Sequence, residues 1–232
     1  LANPSFIEND EIKKFDVILA NPPYSIKSWN QIRFKNDPYG RNIWGTPPKG
    51  CADYAFQQHI HKSLDKKNGR AAILWPHGIL FRNMEKEIRK KMIRTDVVEC
   101  IIGLGPNLFY NSPMEASILI CNNNKKPDRE GKIIFIDALN EVKREGANSF
   151  LDERNITKIN NAYLKFEEVK NFSRVMTINE VLDNDGNLKV SQYIKSSKVP
   201  DENLSSLNDL YELFLEEGLK LEVNIKKVLS NK

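Results

Sequence analysis

Asn21-Pro22-Pro23-Tyr24 is the run whose residue types carry the most chemistry. Two consecutive prolines fix φ and supply no N–H donors, so the loop is stiff and rich in outward-facing acceptors, the Asn21 amide oxygen and the Pro22 carbonyl. A rigid pair of acceptors suits one task, gripping both hydrogens of an NH2 group. The exocyclic amine of adenine is a poor nucleophile because its lone pair is delocalised into the ring. Two acceptors on its N–H bonds favour a pyramidal nitrogen, return the lone pair to it and stabilise the positive charge that develops during attack. The electrophile such a site serves is a sulfonium methyl group. Tyr24 offers a flat face on which a base flipped out of its duplex can stack. An ordinary proline turn with an aromatic lid is the competing account, and the apolar run from Phe15 to Ala20 leading straight into the loop weighs against it.

The elements that must position this loop follow from the pattern of apolar residues. Phe15 to Ala20, Ala71 to Trp75, Val97 to Leu104, Ala116 to Cys121 and Ile133 to Ile136 have strand character between turn residues. An amphipathic helix is expected over Asp53 to Lys67, with Phe56, Ile60 and Leu64 on one face and Asn68-Gly69 as its stop. A second runs from Met84 to Arg94, with Asn83 as cap, Glu85 and Glu87 in the first turn and Lys90, Lys91 and Arg94 in the last. Strands alternating with helices imply parallel crossovers and an open, doubly wound α/β sheet, whose ligands bind at the carboxyl ends of the strands. Asn21 stands at such an end.

After Asp137 the pattern changes. A helix is expected from Asp152 to Val169, and Thr177 with Glu180 has the form of a capping box. Positions 204, 207, 211, 214, 218, 221, 225 and 228 form a heptad seam of Leu, Leu, Tyr, Phe, Gly, Leu, Ile and Val. The expected division is residues 1–140, carrying the Asn-Pro-Pro-Tyr element, and residues 141–232, a helical tail whose long C-terminal helix docks on its own domain or on a partner subunit.

Composition narrows the classes. Of 232 residues, 40% are hydrophobic and 28% charged, values of a globular chain. The sequence lacks an apolar run of the ~18 residues that a span requires, so no membrane association is expected and the location is read as cytoplasmic. Cys51, Cys100 and Cys121 have no CxxC spacing and no His/Cys cluster joins them, which argues against a disulfide framework and a structural zinc. The net charge of +4 is uneven, with 21 basic and 15 acidic residues over 1–140 against 14 and 16 over 141–232. The basic part suits a phosphate backbone without identifying one.

Three further stretches join the proline loop: Gly45-Thr-Pro-Pro-Lys-Gly-Cys-Ala-Asp53-Tyr-Ala-Phe56, Gly69-Arg-Ala-Ala-Ile-Leu-Trp-Pro-His-Gly-Ile-Leu-Phe81 and Ile102-Gly-Leu-Gly-Pro-Asn-Leu-Phe109-Tyr110. Together they make the chain resemble the N6-adenine DNA methyltransferases, specifically the modification subunit of type I restriction-modification systems. The resemblance implies part of a Rossmann-like methyltransferase sheet followed by a helical tail. It also implies S-adenosyl-L-methionine (AdoMet) as cofactor without a metal, DNA as substrate, and specificity and restriction subunits as partners. By the same resemblance Asn21, Pro22, Pro23 and Tyr24 form the catalytic corner, and Tyr24 and Phe109 sandwich the flipped base. Asn21, Asp53 and Phe56 lie beside the cofactor. Tyr24 stands where this subfamily more usually has Phe, which leaves stacking intact.

The family's glycine-rich cofactor loop and ribose-gripping acid precede the Asn-Pro-Pro-Tyr element, and nothing upstream of Asn21 supplies them. The chain, beginning at Leu1, is therefore expected to be the target-recognition half of a methyltransferase core and inactive by itself. Glu99 with Gly103 and Gly105 has the form of a cofactor loop in a permuted enzyme, but Pro106 and Pro113 leave no room for the helix that must follow. His77, after Trp75-Pro76, ends a strand at the same edge as Asn21. A protein-glutamine or RNA amino-methyltransferase and a non-catalytic assembly module are the remaining alternatives.

Overall fold

The computed structural model describes residue 1 and residues 3–108, 114–145 and 148–194. The chain divides into two compact units, Leu1–Ser196 and Ser197–Lys232, and the second, with the heptad seam, lies outside the described residues.

A short hairpin of β1 (Ile7–Glu8) and β2 (Glu11–Ile12) precedes β3 (Val17–Ala20) and the loop at Asn21. There follow α1 (Gln31–Lys35), α2 (Asp53–Ser63), β4 (Arg70–Pro76), α3 (Lys86–Arg94), β5 (Val98–Leu104), β6 (Ala116–Asn122) and β7 (Lys132–Ala138). The hairpin β8 (Lys143–Glu145) and β9 (Asn148–Phe150), then α4 (Glu153–Lys165), β10 (Ser173–Thr177) and α5 (Ile178–Asp183) complete the described chain. Six strands form one sheet in the order β10-β7-β5-β6-β4-β3. The crossover from β3 through α2 to β4 is parallel, as is the pairing of β5 with β7. The sheet is mixed rather than all-parallel, because β6 lies between β4 and β5 and runs antiparallel to both. β10, from the stretch expected to be a helical tail, pairs antiparallel with β7.

The period-two alternation of the central strands sends side chains to two cores. Ile73, Trp75, Ile101, Leu119 and Phe135 face one side and meet Tyr54 and Ile60 of α2, Met92 and Ile93 of α3, and Val181 of α5. Cys100, Ile102, Ile134 and Ile136 face the other, where Ile159 and Ala162 of α4 cover them. Both faces are thus covered over β5 and β7, which is why β5 is buried at every position.

β3 differs. Its apolar sequence predicts burial, yet it is the last strand of the sheet, with Val17 52% and Leu19 80% exposed. Among the described residues nothing pairs with its free side.

Three helices differ at their ends from the sequence expectation, α4 by stopping at Lys165, four residues before Val169, where Phe166 turns left-handed at its C-cap. α2 stops at Ser63, four residues before Lys67, because Leu64 turns extended and bridges to Phe15, with Phe15 N donating to Ser63 O (2.9 Å) and Asp65 N to Phe15 O (2.9 Å). Residues Asn83–Glu85 form a 3-10 turn and α3 begins at Lys86 without a side-chain cap. The capping box of Thr177 and Glu180 forms as the spacing predicts, and Asp152 caps α4 through Asn155.

Candidate functional site

Asn21 emerges where β3 ends, at the carboxyl edge of the sheet, and its side chain is exposed. It borders an open groove of ≈ 340 Å³ whose other walls are Leu19, Ala20, Ala72, Leu74 and Ile118. Three residues on, Tyr24 lies half-buried against the core, its ring centroid 6.4 Å from that of the fully buried Trp75. Trp75 is itself held by its Nε1–H donating to Gln57 Oε1 at 2.8 Å. The Tyr24 hydroxyl donates to Asn21 Oδ1, so the amide oxygen that would grip an amine is engaged by a neighbouring side chain. Burial raises the pKa of the Tyr24 hydroxyl, which keeps it a donor at neutral pH.

Behind the loop stands a buried charged cluster. Asp53 opens α2 with no exposed surface and accepts from the backbone N–H of Ser25 (Oδ1, 2.8 Å), from the Cys51 thiol (Oδ2, 3.2 Å) and from Arg82. Arg82 also donates from Nε to Glu85 Oε2 at 2.7 Å. Glu85 is buried, its Oε1 has no hydrogen-bond partner among the described residues, and desolvation raises its pKa against the pull of Arg82. The Cys51 thiol is pushed up to about 12 by burial, so it is neutral and a donor.

The structure therefore sets the sequence-predicted residues apart by role. Asn21 presents a polar atom to open space, and Tyr24 reaches it from the core side. Asp53 was expected beside the cofactor; its carboxylate is instead turned inward, with both oxygens engaged, because a fully desolvated anion must be paired with donors and a cation. Phe56 is part-buried and packs against the core on the α2 side. Phe109 lies outside the described residues.

The other motif residues take structural places. Glu99, the acidic residue of the permuted cofactor loop considered above, accepts from Tyr163 (2.6 Å), Asn122 (3.1 Å) and Arg129 (3.4 Å), which leaves it committed to the core. His77 pairs through Nδ1 with Glu115 Oε2 at 3.1 Å, and burial lowers its pKa more than that carboxylate raises it.

Sequence reasoning missed Arg82 and Glu85 as members of the site's support. Their i, i+3 spacing carries only the weak signal of any such charged pair. The stretch from Gly45 was legible: Gln58 accepts from Trp44 N (2.7 Å) and donates to Gly45 O (3.0 Å), tying that loop to α2.

Comparison with known proteins adds the following. The profile of the N-6 DNA methylase family matches residues 1–202. The type I restriction enzyme MjaVIII methylase subunit of Methanocaldococcus jannaschii is 38% identical over 222 residues, covering 91% of this chain and 38% of that protein. The HindI methylase subunit of Haemophilus influenzae is 32% identical over 244 residues, 97% of this chain and 53% of that one. The crystal structure of a type I restriction-modification methyltransferase subunit from Streptococcus thermophilus is similar at a TM-score of 0.75 and 32% identity, over 83% of this chain and 41% of that one. The chain spans about two fifths to one half of the length of these relatives.

Proposed function

Since the chain belongs to the N-6 DNA methylase family, we propose that it forms the target-amine site of a type I modification subunit, serving methyl transfer from AdoMet to N6 of adenine in DNA. The observation that carries this reading is the placement of Asn21: an exposed amide at the carboxyl end of β3, with an aromatic ring seated beside it against Trp75.

The residues present fit this chemistry in part. Asn21 fits directly; Asp53 is engaged by Ser25, Cys51 and Arg82, and Phe56, part-buried beside it on α2, is the aromatic residue proposed to lie toward the cofactor. AdoMet supplies an electrophilic sulfonium methyl when bound. The rest is the work of the chain. Tyr24 releases Asn21 Oδ1 and receives the flipped base on its ring face. Asn21 Oδ1 and the Pro22 carbonyl each accept one N–H of the amine, localising the nitrogen lone pair and stabilising the cation formed as the N–C bond is made. Both are neutral acceptors, so no strong base precedes attack; the methylated amine gives up its proton afterwards.

The relatives are named as methylase subunits of type I restriction enzymes, and the partners proposed for this chain are DNA, a specificity subunit and a restriction subunit. The heptad seam over 204–228 is the proposed subunit contact, residues 1–140 the catalytic part, and Phe109 the second wall of the base pocket. Among the described residues no helix is long and apolar enough to cross a membrane, and a cytoplasmic site of action goes with the proposed substrate.

The test is Asn21→Ala in the full-length protein with its specificity subunit, following tritiated methyl transfer to duplex DNA and N6-methyladenine in the digest. Loss of one preorganised partner of the reacting group is expected to lower turnover by ~10²–10³-fold. Wild-type turnover in the variant, or label on glutamine or RNA instead of DNA, would reject the proposal.

A further inference from the structure

Ser25 directly follows Tyr24 and holds φ at +51°, the left-handed region that a residue with a side chain rarely adopts. Something must hold it there, and the contact present is its N–H bond to Asp53 Oδ1, from a carboxylate with no exposed surface. Asp53 in turn depends on Arg82, whose guanidinium also meets Glu85. Cys51, Asp53 and Glu85 lie close enough together to hold a metal ion, but the guanidinium already supplies a positive charge to both carboxylates.

Arg82 is itself anchored. Its carbonyl accepts from Nη1 of Arg89 at 3.0 Å, and the buried Arg89 also donates from Nε to Gly186 O at 2.7 Å. Gly186 sits at φ +62° in the turn after α5, where a Cβ would come within 2.9 Å of Lys90 Cγ. A continuous line of buried and part-buried polar contacts thus runs from that turn through Arg89, Arg82 and Asp53 to the backbone behind Tyr24.

We propose that Arg82, acting through Asp53, is a positioning residue that holds the Asn21–Tyr24 loop in its amine-gripping geometry. This rests on the reading of Asn21 as the acceptor for the target amine. Neither Arg82 nor Asp53 touches the reacting groups. Their effect is to fix the backbone at Ser25, so that small displacements there become displacements of the acceptors. A misplacement of about 1 Å in such a site costs up to ~100-fold in rate.

The experiment uses the full-length methyltransferase assembled with its specificity subunit, duplex DNA and tritiated AdoMet. Asp53→Asn, Arg82→Gln and the conservative Arg82→Lys are each expected to lower kcat by ~10- to 100-fold, with KM for AdoMet changed less than about twofold. Adding Ser25→Gly to Asp53→Asn is expected to restore most of kcat, because glycine takes φ +51° without a side-chain clash and no longer needs holding. A merely structural role would lower the melting temperature, leave kcat per folded molecule intact and show no rescue by Ser25→Gly. If Arg82→Gln does not fold, Arg82→Lys and Asp53→Asn carry the measurement. Wild-type kcat in either, or absence of the glycine rescue, overturns the proposal. Asn21→Ala in the same assay separates the two ideas. If it abolishes transfer while the Arg82 and Asp53 variants do not, the positioning role alone fails; if it leaves transfer intact, the functional reading fails.

Discussion

The ring and the hydroxyl of Tyr24 have separable effects. The ring rests beside Trp75, while the hydroxyl occupies Asn21 Oδ1. A base entering the site keeps the first and must displace the second. Tyr24→Phe is therefore expected to leave kcat unchanged and raise kcat/KM for DNA by a few-fold, the net value of one hydrogen bond being ~0.5–1.5 kcal/mol. Tyr24→Ala removes the stacking face, worth ~1–3 kcal/mol per base, and is expected to weaken DNA binding by roughly 5- to 150-fold. Steady-state methylation with the assembled enzyme checks both. If Tyr24→Phe falls to the level of Tyr24→Ala, the hydroxyl is required rather than displaced. The Asn-Pro-Pro-Tyr run announced this corner in the sequence, since its stiffness and acceptors are properties of adjacent residues. The bond between its two ends was not legible, because it depends on the turn the prolines actually make.

Helix α2 shows how an element acts in two directions. Its first residue, Asp53, braces the Asn21 loop, while its last turns carry His59 and His61, both part-buried. His59 Nδ1 lies 3.3 Å from Arg41 Nη1, and His61 stacks on Trp44 with ring centroids 4.9 Å apart. Burial is the main cause that lowers both histidines to about 4, with nearby cations adding to it. In the unfolded chain each titrates near 6.5. Between pH 6.5 and about 4 the unfolded state thus binds more protons than the folded one, so stability is fully present above 6.5 and is lost as pH falls through that window. The urea midpoint is expected to drop over that range, and His59→Gln with His61→Gln to flatten the drop. An unchanged acid slope in the double variant would refute the assignment. Periodicity identified α2 and its start; its end was set by a tertiary pairing, Leu64 with Phe15, that no local stop signal encodes.

Over the whole molecule, the uneven cover of the sheet is the leading feature. β5 and β7 are covered on both faces, whereas β3 presents Leu19 and Val17 to solvent between two apolar grooves, one beside Asn21 and one lined by Phe6, Phe15 and Ile60. A strand edge with unpaired N–H and C=O groups next to exposed apolar side chains is a template for association. These 232 residues by themselves are expected to self-associate in light scattering, and Leu19→Lys to suppress it. A monodisperse wild-type chain would contradict this. The basic excess of residues 1–140 gave no comparable guide, since the charged contacts near the site are internally paired, Arg82 with Asp53 and Glu85.

What the sequence determined by itself was the set of strands at the centre of the sheet, the crossover through α2, the Thr177–Glu180 capping box and the proline corner at the end of β3. Each of these rests on residues near one another in the chain, where propensity, period and turn chemistry act directly. What tertiary structure alone decided was the insertion of β6 between β4 and β5, the recruitment of β10 into the sheet, the exposure of β3 and the inward turn of Asp53 toward Arg82. An apolar strand looks the same in sequence whether its edge is paired or open. A buried carboxylate finds its cation through space, here 29 residues away, at a distance along the chain that no local pattern reports.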